Sequence, residues 1–188
     1  MSLGLGLDGI RLARHGETDD NVAPFRFQGW TDTPLNDTGR RQAHELADRV
    51  SGDPIASLWA SDLSRARETA EIVGSRIGLE PVLDQRLREG ARGRWETHLM
   101  QDIERDEPEL YAAWRRGGAD FRFPGGESLL EHQQRVSEAL SEIHAAGPLP
   151  ALVVCHGGSI RVMLCAADPR GLDAFHTFEV PNVAVVPL

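Results

Sequence analysis

One short apolar run constrains the fold more strongly than any other feature of the sequence. Ala151–Cys155 is uninterrupted by polar side chains, which is typical of a strand that a parallel sheet buries on both faces. The run ends in His-Gly-Gly at residues 156–158, before a short helical pattern. A second β-like run, residues 10–13, ends in Arg-His-Gly at residues 14–16. The sequence therefore predicts parallel strands with a histidine just beyond the carboxyl end.

Helical and strand patterns alternate along the rest of the chain. Apolar residues recur at helical spacing in residues 36–50 and 66–77, and Ser128 begins a further helix with a capping box. Between residues 99 and 116 we expect a helix that is broken near Pro108. Further short strands are predicted at residues 58–60, 81–83 and 183–186.

This alternation predicts an α/β fold, a three-layer sandwich with a mainly parallel central sheet between helical layers. The length of 188 residues fits a single domain, residues 1–188. Between residues 86 and 124 the pattern loosens and becomes rich in arginine, glutamate and glycine. We interpret this stretch as a short lid insertion over one end of the sheet.

The charge balance excludes several classes of partner. The chain has 20 Lys and Arg against 29 Asp and Glu, a net charge of −9. This argues against nucleic acid or an anionic membrane surface as the main partner, because both require a positive footprint. Cys155 and Cys165 form no CxxC pair, so free thiols are expected rather than a disulfide or zinc site. No apolar stretch approaches the roughly 18 residues of a membrane span, and we expect a cytoplasmic location.

Candidate chemistry collects at the carboxyl ends of the predicted strands, where open α/β sheets bind ligands. Arg14 and His15 end one strand, His156 follows another, and the strand at 58–60 leads to Arg65 in the first turn of a helix. A cation at a helix N-terminus is unfavourable unless both share an anion. Each residue alone has an ordinary structural explanation, as a satisfied histidine or a surface ion pair. Together they predict the concentrated basic pocket that an acidic, anion-binding protein needs.

The order of short motifs resembles the histidine phosphatase superfamily, the phosphoglycerate mutase-like group. The match begins with Leu-Ala-Arg-His-Gly-Glu-Thr at residues 12–18 and ends with the His-Gly-Gly of residues 156–158. It follows the phosphatase branch and keeps the family order from about residue 10 onward. Intermediate landmarks lie at residues 28–29, 32–43, 61–70, 87–96 and 124–128.

The resemblance implies a role for each matching residue. His15 is then the nucleophile, and Glu89 is the general acid for the leaving oxygen and later the base for water. The first task requires a protonated Glu89, so a raised pKa is expected. The residues implied to hold the phosphoryl oxygens are Arg14, Arg65 and His156. The implied substrate-binding residues are Asn21, Gln28, Gly29 and Gly157. Because arginine and histidine supply the positive charge, no metal and no cofactor is expected.

Some positions after Glu89 depart from the usual family pattern. Thr97 stands where glycine is usual, and Arg92 stands where relatives commonly have an aromatic or aliphatic residue. Nearby basic residues have two interpretations, contacts to a second anionic group of the substrate or solvated charges of the lid. These residues are Arg26, Arg92, Arg94 and His98. Three other histidines are interpreted as surface positions: His44, His132 and His144.

The function expected from the resemblance is a metal-independent phosphomonoesterase acting on a small phosphorylated metabolite. The alternative is a 2,3-bisphosphoglycerate-dependent phosphoglycerate mutase-type phosphotransferase, which shares the phosphohistidine but carries a longer insertion. Here 34 residues separate Glu89 from Pro124, and this short segment favours an open, wet pocket and hydrolysis. A catalytically silent phospholigand-binding protein is disfavoured, because the core positions are all present. Both a monomer and a homodimer are compatible with the sequence.

Overall fold

A computed structural model describes residues 4–188 and contains a five-stranded sheet. The strand order is β3-β2-β4-β1-β5, in which β5 is antiparallel to β1 and the other neighbours are parallel. The mainly parallel sheet is therefore confirmed. The strands are β1 (Ile10–Arg14), β2 (Ser57–Ala60), β3 (Val82–Leu83), β4 (Ala151–Cys155) and β5 (Val185–Pro187).

Six α-helices lie within the described residues, and none of them is long and apolar enough to cross a membrane. Pro108 separates two short helices, as predicted, because it lacks the N–H that a continuous helix needs. The Ser128 hydroxyl accepts from Glu131 N at 3.1 Å, and the Glu131 carboxylate accepts from Ser128 N, which confirms the capping box. The helices are α1 (Asp37–Val50), α2 (Ser64–Ile77), α3 (Met100–Asp106), α4 (Pro108–Arg116), α5 (Leu129–Ala146) and α6 (Gly157–Ala167).

Helices cover both faces of the sheet, so the three-layer α/β sandwich is confirmed. On one face, Leu46 of α1 and Val73 of α2 belong to the same hydrophobic cluster as Val154 of β4. On the other face, Leu140 of α5 belongs to a second cluster with Val153, the preceding residue of β4. Alternate residues of β4 thus enter different clusters, which is why its sequence is apolar throughout.

The segment at residues 86–124 has a hydrophobic cluster of its own. Trp95 and Phe123 are almost completely buried there and lie 5.4 Å apart between ring centres. Phe27 packs on both rings, and Val162 of α6 joins the cluster from the body of the fold. The loose sequence pattern did not predict this packing. The segment is held over the sheet edge by buried aromatic area rather than resting there as a loose lid.

Strand register brings the three candidate strand ends to the same edge of the sheet. Arg14 pairs with Cys155 in the β1–β4 ladder, and Ala60 pairs with Val154 in the β2–β4 ladder. The residues that follow these strands are His15, Ser61 and His156. They therefore meet beyond the carboxyl ends of neighbouring parallel strands.

The loop after His15 makes an unusually close backbone contact with the beginning of α1. A Cβ atom at Gly39 would lie 2.1 Å from the main-chain oxygen of Glu17, and one at Gly16 would lie 2.3 Å from the oxygen of Gly39. No side chain fits at either position without displacement of the backbone. The two glycines therefore fix the path of the loop that carries His15.

Gly39→Ala is expected to lower the free energy of unfolding by about 1–3 kcal/mol, because the added methyl group overpacks this contact. The measurement is urea denaturation followed by circular dichroism. Gly52→Ala is the matched control, since a Cβ atom at Gly52 would have no atom within 4 Å apart from those of its chain neighbours. We expect a change within about 0.5 kcal/mol. Equal effects of the two substitutions would contradict the close-contact argument.

Candidate active site

His15 is a buried imidazole that the fold holds in one tautomer. Its Nδ1 lies 2.6 Å from the carbonyl oxygen of Gly16. A carbonyl oxygen only accepts, so Nδ1 carries the hydrogen and Nε2 retains its lone pair. Burial lowers the pKa of His15 well below its ordinary value, and the neighbouring charges of Arg65 and Arg14 lower it further. The side chain is thus neutral at physiological pH, with a free nucleophilic nitrogen.

Arg65 is a buried cation and Arg14 a partly buried one, and both lie beside His15. Arg14 Nη1 donates to the main-chain oxygen of Val180 at 2.6 Å, and Arg65 donates to the main-chain oxygens of Thr31 and Gly29. Burial lowers the pKa of both guanidinium groups to about 10, so both remain protonated at neutral pH. In each of them the Nε atom is buried without a partner among the described residues.

His156 lies close to His15, with 5.1 Å between ring centres. Its Nε2 is 2.9 Å from Ser61 Oγ, which itself accepts from the main-chain N–H of Leu63. The Ser61 hydroxyl is therefore free to donate to His156 Nε2, which places the ring hydrogen on Nδ1. That Nδ1 is buried without a partner within residues 4–188. Burial, then the charge of Arg65, lowers the pKa of His156 well below its ordinary value.

Buried donors without partners are the main chemical feature of this site. A buried N–H group that lacks an acceptor costs free energy, so such groups indicate where a ligand binds. α6 also begins here, and its first residue, Gly157, approaches Arg14 so closely that a Cβ would lie 3.3 Å from Arg14 Nε. The set can bind a tetrahedral oxyanion at a helix N-terminus. The donor atoms are Arg14 Nε, Arg65 Nε, Asn21 Nδ2 and His156 Nδ1.

Asn21, Gln28 and Gly29 line a cavity of about 250 Å³, which Arg14 and Glu89 also line. Asn21 Oδ1 accepts from the Thr18 N–H, and Gln28 Nε2 donates to the Thr18 hydroxyl at 2.5 Å. Gly29 offers its main-chain oxygen to Arg65 and has a φ of +54°, where a side chain would collide with Glu96. The predicted binding residues are thus brought together, and the main-chain oxygen of Gly29 accepts a hydrogen bond from the guanidinium of Arg65.

Glu89 lies beside this donor set, but the expected rise of its pKa is wrong. Burial alone would raise the pKa, yet Arg92, His132 and the main-chain N–H groups of Gly158 and Gly90 lower it to about 2. Oε2 accepts from Gly158 N at 2.8 Å, and Oε1 accepts from Gly90 N at 2.8 Å and from Arg92 Nη2 at 3.2 Å. With this many donors the carboxylate is ionised in the free protein.

The four basic residues that the sequence left with two interpretations lie in different environments. Arg92 is buried, lines the cavity and contacts Glu89. Arg26 lines the cavity with a largely exposed side chain, and its Nη1 donates to the main-chain oxygen of Thr97. Arg94 pairs with Glu107 at the surface, and the exposed His98 contacts the main-chain oxygen of Glu96. Only the first two of these residues line the described cavity.

His132 was expected at the surface, and that prediction is wrong. Its side chain is 1% exposed, and its Nε2 lies 3.0 Å from Ser159 Oγ and 3.9 Å from Glu89 Oε1. Burial lowers its pKa to about 3, so the ring is neutral. The missed signal is spacing, because position 132 lies three residues after Leu129 and four before Val136, on the apolar face of α5.

Arg135, one helical turn further along α5, was not singled out in the sequence at all. It donates to the main-chain oxygens of Arg86, Arg88 and Glu89 and to both carboxylate oxygens of Glu127. This arginine therefore fixes the loop that carries Glu89. Among residues 4–188, no group of three or more His, Cys, Asp or Glu side chains could hold a metal ion.

Comparison with known proteins gives one consistent result. The histidine phosphatase superfamily (branch 1) matches residues 10–188. Phosphoglycerate mutase-like protein 4 of Arabidopsis thaliana is 39% identical over 166 residues, which are 85% of this chain and 71% of the relative. A protein of Serratia proteamaculans named "Probable phosphoglycerate mutase GpmB" is 40% identical over 168 residues, 88% of this chain and 76% of the relative.

Solved structures agree with this result. The mycobacterial glucosyl-3-phosphoglycerate phosphatase superposes with a TM-score of 0.84 at 32% identity, covering 94% of this chain and 87% of that one. The two relatives by sequence carry mutase names, whereas this neighbour by structure carries a phosphatase name. The chain belongs to the histidine phosphatase superfamily and is an enzyme of its phosphatase and mutase group.

Proposed function

We propose that the chain is a metal-independent phosphomonoesterase that hydrolyses a small phosphorylated metabolite through a phosphohistidine at His15. The observation that carries this proposal is a neutral imidazole with a free Nε2, set beside four buried donors that have no acceptor among the described residues. A phosphoryl group satisfies all four donors and presents its phosphorus to Nε2. The cavity of about 250 Å³ suits a small substrate.

In the first step, His15 Nε2 forms a bond to phosphorus while the bond to the leaving oxygen breaks. Arg14 and Arg65 offset the charge of the three equatorial oxygens, and His156 Nδ1 donates to one of them. Glu89 gives a proton to the leaving oxygen, which departs as an alcohol. In the second step, the same carboxylate accepts a proton from water, whose oxygen attacks phosphorus as the bond between phosphorus and His15 Nε2 breaks, and neutral His15 is restored.

The ionised state of Glu89 suits the second step, in which it accepts a proton. The first step requires that Glu89 be protonated beforehand. A phosphate dianion held by the arginines brings negative charge close to the carboxylate and so raises its pKa. Protonation of Glu89 therefore follows substrate binding. The free site is positively charged and binds an anion, and Glu89 becomes an acid only in the complex with the substrate.

A phosphoglycerate mutase-type phosphotransferase is the second candidate, favoured by the names of the two curated relatives. A mutase must keep its phosphohistidine intact until a second acceptor has bound, which requires a closed site. The 34 residues between Glu89 and Pro124 provide two short helices and a single aromatic cluster. A segment this short leaves the phosphohistidine accessible to water, which favours hydrolysis.

The phosphohistidine can be trapped. After brief mixing with ³²P-labelled substrate and acid-free quenching in alkali, label that is stable to base and labile to acid is expected on the protein. His15→Ala should abolish both label and turnover without loss of the folded circular dichroism spectrum. His44→Ala is the control, because this histidine is exposed on α1, and it should label normally. Label that persists in His15→Ala would overturn the assignment of the nucleophile.

Hydrolysis and mutase activity can be measured side by side in the presence of EDTA. We expect clear hydrolysis of p-nitrophenyl phosphate and of at least one sugar or glycerate phosphate, inhibited competitively by vanadate. Interconversion of 2- and 3-phosphoglycerate, primed by 2,3-bisphosphoglycerate, should be slower. Mutase turnover about tenfold faster than hydrolysis, a difference of about 1.4 kcal/mol in barrier, would favour the second candidate. Activity lost in EDTA and restored by a divalent cation would contradict a metal-independent mechanism.

The protonation requirement predicts a distinct pH dependence. Because the pKa of Glu89 lies near 2 in the free protein, its protonated fraction falls as pH rises. The kcat/KM of an alkyl phosphate should therefore decrease from about pH 5 to about pH 8 more steeply than that of p-nitrophenyl phosphate, whose leaving oxygen barely needs a proton.

Glu89→Gln should slow the alkyl ester by about 10²-fold or more. The same change should leave the initial burst of p-nitrophenol, which reports phosphoryl transfer alone, within about threefold of the unmodified enzyme. Identical pH profiles for the two esters, together with equal losses in the variant, would remove Glu89 from the role of general acid.

A further inference from the structure

Arg92 is a buried cation that its protein partners do not satisfy. Its side chain is 9% exposed, and its guanidinium carbon lies 4.4 Å from the centre of the Phe123 ring. Within the described residues the side chain donates one hydrogen bond, from Nη2 to Glu89 Oε1 at 3.2 Å, and Nη1 is buried without a partner. Buried guanidinium groups ordinarily have their N–H groups paired, so Arg92 has donor capacity for a ligand.

The loop around Glu89 does not depend on Arg92 for its anchoring. Arg135 performs that task, because it donates to three main-chain oxygens of residues 86–89 and to both carboxylate oxygens of Glu127. Arg92 reaches the side chain of Glu89 instead, through one rather long hydrogen bond. A bond of this kind can be exchanged for a better one when an anion enters.

The cavity holds a second basic region besides the phosphate donors. Arg92 and Arg161 line it together with Arg14. Within residues 4–188, Arg161 donates one hydrogen bond, from Nε to the main-chain oxygen of Phe178. A phosphate held at Arg14 therefore lies in the same small cavity as two further arginines whose terminal nitrogens are largely unengaged. The terminal nitrogens of Arg92 and Arg161 can donate hydrogen bonds to a second anionic group on the substrate.

We propose that Arg92 selects phosphomonoesters that carry a second anionic group, such as a carboxylate, and that this group takes Arg92 as its partner and releases Glu89 to accept a proton. This inference rests on the proposed phosphatase function. The proton enters Glu89 from solvent, passes to the leaving oxygen as its bond to phosphorus breaks, and is replaced when Glu89 accepts one from the attacking water. Arg92 acts on the chemistry through Glu89 and is a positioning residue in that respect.

Removal of Arg92 from Glu89 changes the carboxylate in a definite direction. After burial, which raises the pKa of Glu89, the charge of Arg92 is the largest influence, and it lowers that pKa. A substrate anion that pairs with Arg92 therefore raises the pKa of Glu89. Other charged or titratable groups that face Glu89 come from several elements of the fold. They are Arg14 and His15 at the end of β1, Arg65 of α2, His132 of α5, Cys155 at the end of β4 and Arg161 of α6.

Two ligands with the same carbon skeleton test the proposal. 3-Phosphoglycerate carries a carboxylate where glycerol 3-phosphate carries a hydroxymethyl group. Arg92→Met keeps most of the length of the side chain and removes the charge. We expect the variant to lower kcat/KM for 3-phosphoglycerate by at least about tenfold, the value of a charge-assisted hydrogen bond. For glycerol 3-phosphate, kcat/KM should stay the same or rise, because Glu89 is then easier to protonate.

Arg94→Met is the matched control, since Arg94 pairs with Glu107 outside the cavity. It should leave the ratio of the two kcat/KM values unchanged. A merely structural role of Arg92 would lower both values together. The pH profile gives a further readout, because the Arg92→Met decline with glycerol 3-phosphate should begin at a higher pH than in the unmodified enzyme.

Binding to the His15→Ala variant tests the proton uptake without any turnover. Calorimetry in two buffers of different ionisation enthalpy counts protons at about pH 5, where a carboxyl group with a raised pKa takes up protons and where the phosphate groups of the two ligands, with a second pKa of about 6, contribute nearly alike. More protons should be taken up with 3-phosphoglycerate than with glycerol 3-phosphate, and Arg92→Met should abolish the difference.

The outcomes distinguish a failure of the proposed role of Arg92 from a failure of the proposed phosphatase function. Equal proton uptake for the two ligands, or an Arg92→Met variant that keeps the preference for 3-phosphoglycerate, would overturn the role of Arg92. Failure of the unmodified enzyme to hydrolyse p-nitrophenyl phosphate would overturn the phosphatase function instead. The calorimetric difference would then still show whether Arg92 recognises the second anion.

Discussion

The site depends on two arginines at the carboxyl edge of a parallel sheet, of which Arg65 is buried and Arg14 is partly buried. A buried guanidinium is costly unless oxygen acceptors surround it. Main-chain oxygens of Val180, Thr31 and Gly29 supply part of this requirement for Arg14 and Arg65, and each arginine keeps an unpaired Nε. Burial of the adjacent His15 lowers the pKa of its imidazole, and the charge of the two arginines lowers it further, so the ring is neutral. Loops distant in sequence thereby determine the protonation state of the candidate nucleophile.

The same positive charges favour the ionised form of the Glu89 carboxyl group, whereas they disfavour the ionised form of His15. A carboxylate next to several cations and two main-chain N–H groups is stabilised as an anion, however deeply it is buried. Glu89 is therefore ready to act as a base and must be converted into an acid. Charge therefore sets the order of events at this site. The anionic substrate binds first, and Glu89 takes up a proton once the charge of the arginines has been neutralised.

Several elements were predictable because their signals are local. The apolar run Ala151–Cys155 becomes the central strand, and Asn36 caps α1 by accepting from Gly39 N. The strand expected at residues 183–186 is found as Val185–Pro187 and pairs antiparallel with β1. The aromatic cluster around Trp95 and the burial of His132 were missed, because they depend on partners that are remote along the chain.

The sequence by itself determined which residues could meet. Histidines and an arginine beyond strand ends must gather at one edge of a parallel sheet, since connected parallel strands point the same way. Tertiary structure alone decided their states. The tautomer of His15, the ionisation of Glu89 and the unpaired donors of Arg92 depend on neighbours within about 4 Å, where Coulomb and hydrogen-bond energies become large. Some of those neighbours are adjacent in sequence, such as Gly16 beside His15 and Gly90 beside Glu89. Others, such as Gly158 and Phe123, come from remote segments, so no local pattern in the chain encodes the complete set.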